Sequence, residues 1–132
     1  MKVFQSILLI LLFISCKSQS FEEKIFSCGN STVKLEIPTI KDIQKHSFIE
    51  GETILITTED FVIIEFHCGG NYSSHISDKN RYKMQSKKSN SLRGVDLKTG
   101  LFWRKDGKLI YSNCKVKDTA RYNKIFDSKS IY

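Results

Sequence analysis

Apolar and polar residues alternate over several short stretches of the chain, with the two-residue period of half-buried β-strands. Two such runs in the segment 24–37 flank Gly29-Asn30-Ser31, which predicts a hairpin. The runs 52–58 and 61–67 are dense in Ile, Val, Phe and Thr, and Glu59-Asp60 between them predicts a tight turn. The second of these runs is apolar on both faces, which is typical of a central strand.

The C-terminal part of the chain predicts one more hairpin and one helix. Asp106-Gly107 stands between two apolar runs and indicates a tight β-turn. Asp118 is suited to cap a helix over residues 119–128, where apolar side chains recur at helical spacing. The apolar side chains on this face are Tyr122, Ile125 and Phe126. The fold class that follows is α+β, a small antiparallel sheet of about five to seven strands with one C-terminal helix packed on it.

Two segments lack a regular pattern. Residues 40–46 have Ile40 and Ile43 three positions apart, which fits one or two helical turns or a loop. Residues 72–98 are polar, and only Tyr82 and Met84 alternate there, which predicts a short strand within a long loop. Such a loop is either functional or simply mobile and solvated, and we favour the second interpretation.

The first twenty residues have a different pattern. Met1-Lys2 is a short basic start, and Ile7–Ile14 is an unbroken apolar run of eight residues. A small residue, a cysteine and a polar stretch follow, and this order predicts an export signal. The apolar run is shorter than the ~20 residues that a helix needs to span a bilayer.

The end of this segment, Phe13-Ile14-Ser15-Cys16, resembles the lipobox of bacterial lipoproteins. In that motif a Leu, a small or aliphatic residue and Gly, Ala or Ser precede the lipidated cysteine, and here Phe13 replaces the Leu. The resemblance implies cleavage after Ser15 and lipidation of Cys16. The alternatives are a plain secretory signal with an incidental cysteine and an uncleaved anchor.

The lipobox divides the chain into three parts. They are a signal peptide over residues 1–15, a lipidated Cys16 with a tether over residues 16–20, and a single α+β domain over residues 21–132. Two acyl chains are enough for stable anchoring, because each buried methylene contributes about 0.8 kcal/mol. Lys17 stands where an Asp often marks retention at the inner membrane, so we predict the outer membrane, on its periplasmic or its surface face.

Charge is distributed unevenly along the chain, whose net charge is +7. Residues 17–78 hold 5 Lys or Arg against 10 Asp or Glu, whereas residues 79–132 hold 15 against 4. A basic C-terminal half suits an anionic envelope component or an acidic protein partner, unless the two halves neutralise each other. For an exported protein we exclude nucleic acid as a partner. The candidate partner-binding residues are Arg81, Lys83, Lys87, Lys88 and Arg93.

Three cysteines remain besides Cys16, and disulfides persist in the compartments to which an exported chain is delivered. Three pairings among Cys28, Cys68 and Cys114 are open, and each leaves one thiol unpaired. We favour the pair Cys28–Cys68, because both residues end a short apolar segment before a glycine.

The sequence contains none of the common catalytic motifs, such as Gly-x-Ser-x-Gly or His-Glu-x-x-His. His67-Cys68 is the sharpest candidate, with His46 and His75 as companions in a Zn²⁺ site or a Cys–His nucleophile. Adjacent residues of a strand point to opposite faces, however, so His67 and Cys68 are not expected to act together. We therefore predict no catalytic residue, no metal and no cofactor.

Two groups of residues, spread over most of the mature chain, match a recurrent arrangement. The first comprises Glu36-Ile37-Pro38, Glu50-Gly51, Asp60 and Gly69-Gly70-Asn71, and the second comprises Gly94-Val95-Asp96, Lys98–Asp106 and Tyr111-Ser112-Asn113. They resemble small uncharacterised lipoproteins of the Bacteroidetes, in which an aromatic-Trp-Arg-acid run precedes a strand and a C-terminal helix. Lys105 stands at the position of the acid. The resemblance implies location and fold class, and it carries no activity.

The sequence thus predicts a membrane-anchored envelope lipoprotein with a non-enzymatic binding or structural role. Immunity-type inhibition of a toxin is one concrete form of that role. The alternative is an envelope thiol, redox or hydrolytic enzyme that uses Cys114 or His67. The predicted partners are the membrane, through the lipid at Cys16, and an acidic protein or anionic envelope component.

Overall fold

The computed structural model describes residues 21–70 and 74–132. The predicted signal peptide, the lipidation of Cys16 and the tether lie outside the described residues. Within the described ranges, ten strands form two antiparallel sheets, and one α-helix follows the ninth strand. The structure is therefore dominated by antiparallel sheet, with the helix close to the C-terminus.

Strands and helix are numbered here in chain order. They are β1 (Glu22–Cys28), β2 (Ser31–Ile37), β3 (Ile40–Phe48), β4 (Gly51–Thr58), β5 (Ile63–Gly69), β6 (Tyr82–Lys88), β7 (Ser91–Asp96), β8 (Phe102–Asp106), β9 (Leu109–Cys114), α1 (Thr119–Asp127) and β10 (Ser130–Ile131). Two single-turn 3₁₀ helices, His75–Ser77 and Val116–Asp118, precede β6 and α1.

The strands form a seven-stranded sheet in the order β3-β4-β5-β9-β8-β7-β6 and a three-stranded sheet in the order β1-β2-β10. One sheet of five to seven strands was predicted, and that part of the prediction is wrong. Val33, Leu35 and Ile37 of β2 are at most 1 % exposed, because the smaller sheet lies across a face of the larger one instead of extending it.

The main core lies between the larger sheet on one side and the smaller sheet with α1 on the other. Ile64 and Phe66 of the central strand β5 pack there, together with Tyr122 and Phe126 of α1. Each of these side chains is at most 1 % exposed, and complete burial of such a side chain contributes about 1.5–3 kcal/mol. The predicted helix and its apolar face are thus confirmed.

The three predicted hairpin turns are also confirmed. They join β1 to β2, β4 to β5 and β8 to β9. In the last of these turns Gly107 has a φ of 59°, a left-handed conformation that glycine adopts without strain. Strand β5 has a neighbour on each side, as its apolar character on both faces predicted.

Residues 40–46, predicted as one or two helical turns or a loop, belong to strand β3. The polar segment contains the predicted short strand, which is β6, but β6 forms a hairpin with a second strand, β7, that was not predicted. Both β3 and β6 lie at edges of the larger sheet, and nearly all of their residues are exposed. Because neither face of these strands is buried, their sequences do not alternate and the periodicity gives no signal.

A buried ionic network holds α1 against β8. Arg104, which is 3 % exposed, donates from Nε and Nη2 to the two carboxylate oxygens of Asp106 at 2.9 and 2.8 Å. The same Nη2 donates to Asp127 of α1 at 2.7 Å, and Lys129 Nζ lies 2.7 Å from Asp106. These contacts fix the helix at the end of the sheet where β8 and β9 turn.

The start of the helix differs from the prediction in one detail. Asp118 makes no capping hydrogen bond with its side chain and instead pairs with Arg121 at 3.2 Å. Within residues 21–70 and 74–132, no helix has the length and apolar character required to cross a membrane.

Candidate functional site

The larger sheet has a second face, directed away from α1, and strands β6, β7 and β8 carry a groove on it. Gly94 is paired with Trp103, and Leu92 is paired with Lys105. Residues directly opposite each other share a face, so these four side-chain positions lie together. Trp103 and Arg104 are adjacent in β8 and point to opposite faces, which puts Trp103 on the side away from the helix.

Lys87 reaches the groove because β6 contains a bulge. The pairing register skips Gln85, so β6 has one residue more than its neighbour at this point. In a regular strand, Met84 would share its face with Ser86 and Lys88. The extra residue brings Lys87 to the face of Met84 instead, opposite β7.

The groove combines an apolar floor with a basic rim. Its volume is about 880 Å³, which is within the range of small-molecule sites. The floor is formed by Ile76, Tyr82, Met84, Leu92 and Trp103, and the rim by the side chains of Lys79, Lys87 and Lys105. No described acidic residue lines the groove, and none of these three lysines forms an ion pair with a described residue.

Trp103 is the central residue of the floor. It is 5 % exposed, and it is the one tryptophan of the 132-residue sequence. Its Nε1 is buried without a hydrogen-bond acceptor among the described residues. Ile76 and Ile110 pack around it, with Tyr82 and Leu92 at the margin of the cluster.

The five basic residues predicted to bind a partner do not form one patch. Lys87 lines the groove with its side chain, and Arg81 lies beside the groove in an ion pair. Lys83 lines the groove through its backbone, because its side chain is opposite Val95 and points to the helix side. Lys88 lines a different pocket, next to the turn between β8 and β9. Arg93 also points to the helix side of the sheet, where its Nη2 is 4.0 Å from a carboxylate oxygen of α1. Only one of the five side chains therefore belongs to the groove.

Next to the groove, five polar residues form a hydrogen-bonded row across strands β4, β5 and β9. Thr53 Oγ1 is 2.8 Å from His67 Nδ1, and His67 Nε2 is 3.3 Å from Glu65 Oε2. The other carboxylate oxygen, Glu65 Oε1, is 2.6 Å from His75 Nδ1. His75 Nε2 in turn is 3.1 Å from Ser112 Oγ. His75 comes from the 3₁₀ turn that crosses this face, and the other four residues lie on the strands.

Glu65 is the anionic centre of the row and is 5 % exposed. Burial alone would raise the pKa of Glu65, but hydrogen bonds from His67 and His75 outweigh burial and lower the pKa from 4.5 to about 2. The carboxylate is therefore ionised at neutral pH and accepts a hydrogen bond from His75 Nδ1–H. We assign His75 Nε2 accordingly as the acceptor for the Ser112 hydroxyl.

Ser112 and His75 line a cavity of about 130 Å³ that adjoins the groove, since Tyr82 and Trp103 line both. Arg81 lines the same cavity. It donates from Nε to Asp96 Oδ1 at 2.9 Å and from Nη2 to Asp96 Oδ2 at 2.8 Å. This pair lowers the pKa of Asp96. Nη1 of Arg81 makes no hydrogen bond to a described residue.

The strand that carries Ser112 is irregular at this point. Ser112 and Asn113 together stand opposite Trp103, which is a bulge in the pairing of β8 with β9. Asn113 has a φ of 60°, a left-handed conformation that asparagine adopts more readily than most residues. Its Nδ2 donates to the carbonyl oxygen of Phe61 at 2.7 Å, which holds the bulge in place.

Cys28 and Cys68 lie side by side as a disulfide, with their Cα atoms 5.7 Å apart. The pair joins the end of β1 in the smaller sheet to the end of β5 in the larger one. The carboxylate of Glu52 lies within 4.8 Å of both sulfur atoms. Metal binding by cysteine requires a thiolate, so in the disulfide form this group of three residues lacks two of its ligands.

The two residues of the predicted enzymatic alternative are not brought together. Cys114 is buried in the main core, and burial raises the pKa of its thiol to about 12. His67 lies on the opposite face of the sheet, between Thr53 and Glu65. Because the thiolate is the reactive form of cysteine, Cys114 is a structural residue at neutral pH.

Sequence reasoning missed Glu65 and Ser112 as members of one site with His75, and it missed the rim residues Lys79 and Lys105. One signal was present: Glu65 stands in the most apolar strand, and a buried carboxylate requires hydrogen-bonding partners. The partners themselves come from distant segments and meet only through strand register.

Comparison with known proteins gives no relative for this chain. It matches no protein-family model, no curated protein and no solved structure.

Proposed function

We propose that this chain is a lipid-anchored protein of the bacterial outer membrane that binds an anionic amphiphile in the groove. The observation that carries the proposal is the set of three rim lysines, unpaired with any described acid, around an aromatic and aliphatic floor. Lysine heads attract an anionic group, and the floor accepts the apolar body attached to it.

The lysines argue for a ligand with a compact anionic group, such as a phosphate. Lys87 comes from β6, Lys105 from β8 and Lys79 from the turn before β6, so they approach the groove from several directions. Three like charges around one volume repel each other until an anion enters between them. Filling the groove with a charged amphiphile therefore relieves repulsion and also covers the apolar floor.

The anchor supports the same proposal from the sequence. A lipidated Cys16 followed by a short polar tether keeps the domain near a membrane surface that contains anionic amphiphiles. Anionic lipid headgroups also attract a basic protein surface over a distance of about one Debye length, ~8 Å at physiological ionic strength.

Trp103 provides the test, because it is the one tryptophan and forms the floor of the groove. The full chain with Cys16→Ala, which carries no acyl chain of its own, is titrated with dodecyl phosphate below micelle-forming concentrations. We expect a saturable change in tryptophan fluorescence. Dodecyl maltoside, which has the same alkyl chain and no charge, should bind more weakly, and inorganic phosphate should bind weakly as well.

Charge reversal separates binding in the groove from general attraction to a basic protein. The double variant Lys87→Glu with Lys105→Glu should weaken dodecyl phosphate binding roughly tenfold, equivalent to about 1.4 kcal/mol. The matched control is Lys115→Glu with Lys117→Glu, which makes the same change in net charge at exposed positions outside the groove. Equal weakening by both pairs would overturn the assignment to the groove. Binding of an acidic peptide in place of the amphiphile would assign the groove to a protein partner.

The anchor has its own test. Cells expressing the chain are fed a palmitate analogue that can be labelled, and membrane and soluble fractions are compared. We expect label on the wild-type protein in the membrane fraction and none on Cys16→Ala. A labelled Cys16→Ala protein would contradict lipidation at this cysteine.

A further inference from the structure

We propose that Ser112, His75 and Glu65 form an ester-hydrolysing site at the inner end of the groove. The inference does not depend on the binding proposal, because the residues that carry it line the adjoining cavity and none of them is a rim lysine. It rests on the alignment of a hydroxyl, an imidazole and a buried carboxylate, on the cavity that the hydroxyl faces, and on a cation fixed beside it.

The alignment has the order that nucleophilic serine chemistry needs. Ser112 Oγ is 3.1 Å from His75 Nε2, and His75 Nδ1 is 2.6 Å from Glu65 Oε1. Glu65 holds the imidazole in the tautomer that can accept the serine proton. His67 and Thr53 extend the row behind Glu65 and fix the orientation of its carboxylate, so Glu65, His67 and Thr53 are positioning residues.

The site also contains a hydrogen-bond donor that can stabilise the negative charge developing on the carbonyl oxygen of the substrate. Arg81 lines the cavity with Ser112, and two of its nitrogens are held by Asp96. The remaining nitrogen, Nη1, makes no hydrogen bond to a described residue. A fixed cation next to the reacting carbonyl stabilises an oxyanion. Arg81 thereby takes the role that backbone amides have in many hydrolases.

The reaction consumes one ester and one water. Ser112 Oγ attacks the carbonyl carbon and its proton passes to His75 Nε2, so that a C–Oγ bond forms. The bond from the carbonyl carbon to the alcohol oxygen then breaks, and His75 returns the proton to the leaving alkoxide. Water next attacks the acyl carbon and gives a proton to His75. Ser112 Oγ leaves, takes this proton back and releases the carboxylic acid.

The size of the cavity limits the length of the acyl group that the site can accept. Its volume of about 130 Å³ equals the liquid volume of about four water molecules. An acetyl group fits this space and a long acyl chain does not. The adjoining groove leaves room for the alcohol part of the ester, so the expected substrate class is a short-chain ester of a larger alcohol.

The test uses a fluorophosphonate probe, which phosphonylates an activated serine as the Oγ–P bond forms and the P–F bond breaks. Intact mass measurement of the full chain with Cys16→Ala should show one adduct, and peptide mapping should place it on Ser112. Ser112→Ala and His75→Gln should lose the adduct. Ser86→Ala is the control: it removes a hydroxyl from an exposed position of β6, and this variant should still form the adduct. Near-UV circular dichroism checks that each variant is folded.

Turnover gives a second readout. We expect hydrolysis of p-nitrophenyl acetate that Ser112→Ala abolishes, and hydrolysis of p-nitrophenyl decanoate that is more than about tenfold slower. Glu65→Gln should lower kcat with little change in KM, because it disturbs the orientation of His75 and not the cavity. A folded wild-type protein that forms no adduct and has the esterase rate of Ser112→Ala would overturn the proposal. That result would not contradict the proposal that the groove binds dodecyl phosphate.

Discussion

The indole ring of Trp103 lies directly against Gly94, its partner across strands β7 and β8. A Cβ atom at position 94 would clash with the backbone carbonyl oxygen of Lys83 in β6, and it would lie 2.6 Å from Cζ2 and 2.7 Å from Cε2 of the indole. Carbon atoms do not approach so closely, so the flat position of the ring depends on the absence of a side chain at this point. The depth of the groove is therefore set by a glycine.

Gly94→Ala should displace the Trp103 ring and make the groove shallower. We expect a cost of about 1–3 kcal/mol in the free energy of unfolding, the usual cost of overpacking, and a shifted tryptophan emission maximum. Dodecyl phosphate binding should weaken. Gly70→Ala is the matched control, because a Cβ atom there would meet one atom, Glu50 Oε2, at an ordinary 4.0 Å. Urea unfolding and fluorescence spectra measure both variants, and an unchanged emission maximum in Gly94→Ala would contradict the close packing.

Arg104→Leu should destabilise the protein far more than Arg93→Leu, although both arginines face Asp127. The Arg104 side chain is 4 % exposed and holds Asp106 as well, whereas the Arg93 side chain is 38 % exposed and 4.0 Å from its partner. Removing one partner of a buried pair costs about 3–5 kcal/mol, and an exposed pair contributes about 0–1 kcal/mol. Lys129 still neutralises Asp106, so we expect the lower end of that range for Arg104→Leu. Similar midpoints of urea unfolding for the two variants would contradict the buried network.

Acidification should destabilise the fold between pH 4.5 and about 2, and Glu65 should account for part of this loss. The pKa of Glu65 is lower in the folded than in the unfolded chain, so the unfolded chain binds more protons in this interval and stability falls as the pH falls. The contribution is on the order of 3 kcal/mol, and it is fully present above pH 4.5. Glu65→Gln should be less stable at neutral pH and show a shallower decline in acid. The pKa of Asp106 is also lowered to about 2, so protonation of Asp106 still reduces the stability of Glu65→Gln in acid. Equal slopes for wild type and Glu65→Gln would contradict the proposed hydrogen bonds.

Removal of the Cys28–Cys68 pair should cost about 3–4 kcal/mol, because the closed loop has a sequence separation of 40 residues. The double variant Cys28→Ser with Cys68→Ser is compared with wild type in urea, each with and without reductant. Reductant should lower the midpoint of wild type alone. Non-reducing peptide mapping identifies the bridge, and a peptide that joins Cys114 to either residue would contradict the pairing.

Cys114 should resist alkylation in the native state. Its side chain is fully buried, and its thiol has a pKa raised to about 12, so the thiolate is scarce at neutral pH. Iodoacetamide should modify Cys114 only after unfolding in urea. Rapid modification of the native chain would show an open core at this position.

The sequence was informative where one face of an element is buried. The turns at Gly29-Asn30 and Asp106-Gly107, the central strand β5 and the apolar face of α1 all follow from short-range patterns. Edge strands β3 and β6 lack such patterns because water contacts both of their faces. The packing of the smaller sheet across the larger one depends on long-range contacts that no local pattern specifies.

The candidate sites were harder to predict, for a reason visible in β8. Trp103 points to the groove and Arg104 to the helix, so two adjacent residues serve two unrelated parts of the structure. The neighbours of each come from distant strands. Ser112 and Glu65 likewise meet His75 only because β5 and β9 are paired in one particular register. A one-residue shift of that pairing would move either side chain to the other face.

Among residues 21–70 and 74–132, no strand pairs with the outer edges of β3 and β6 in the seven-stranded sheet, and both edges carry features that discourage aggregation. Each strand contains a bulge, and each has lysines among its exposed residues. Bulges and lysines at an edge disfavour the addition of a strand from another molecule. Lys87 thus has a second consequence beyond the groove. A neutral residue at this position would make edge β6 more prone to self-association, whereas Lys87→Glu keeps a charge there. Light scattering should therefore distinguish the two kinds of variant.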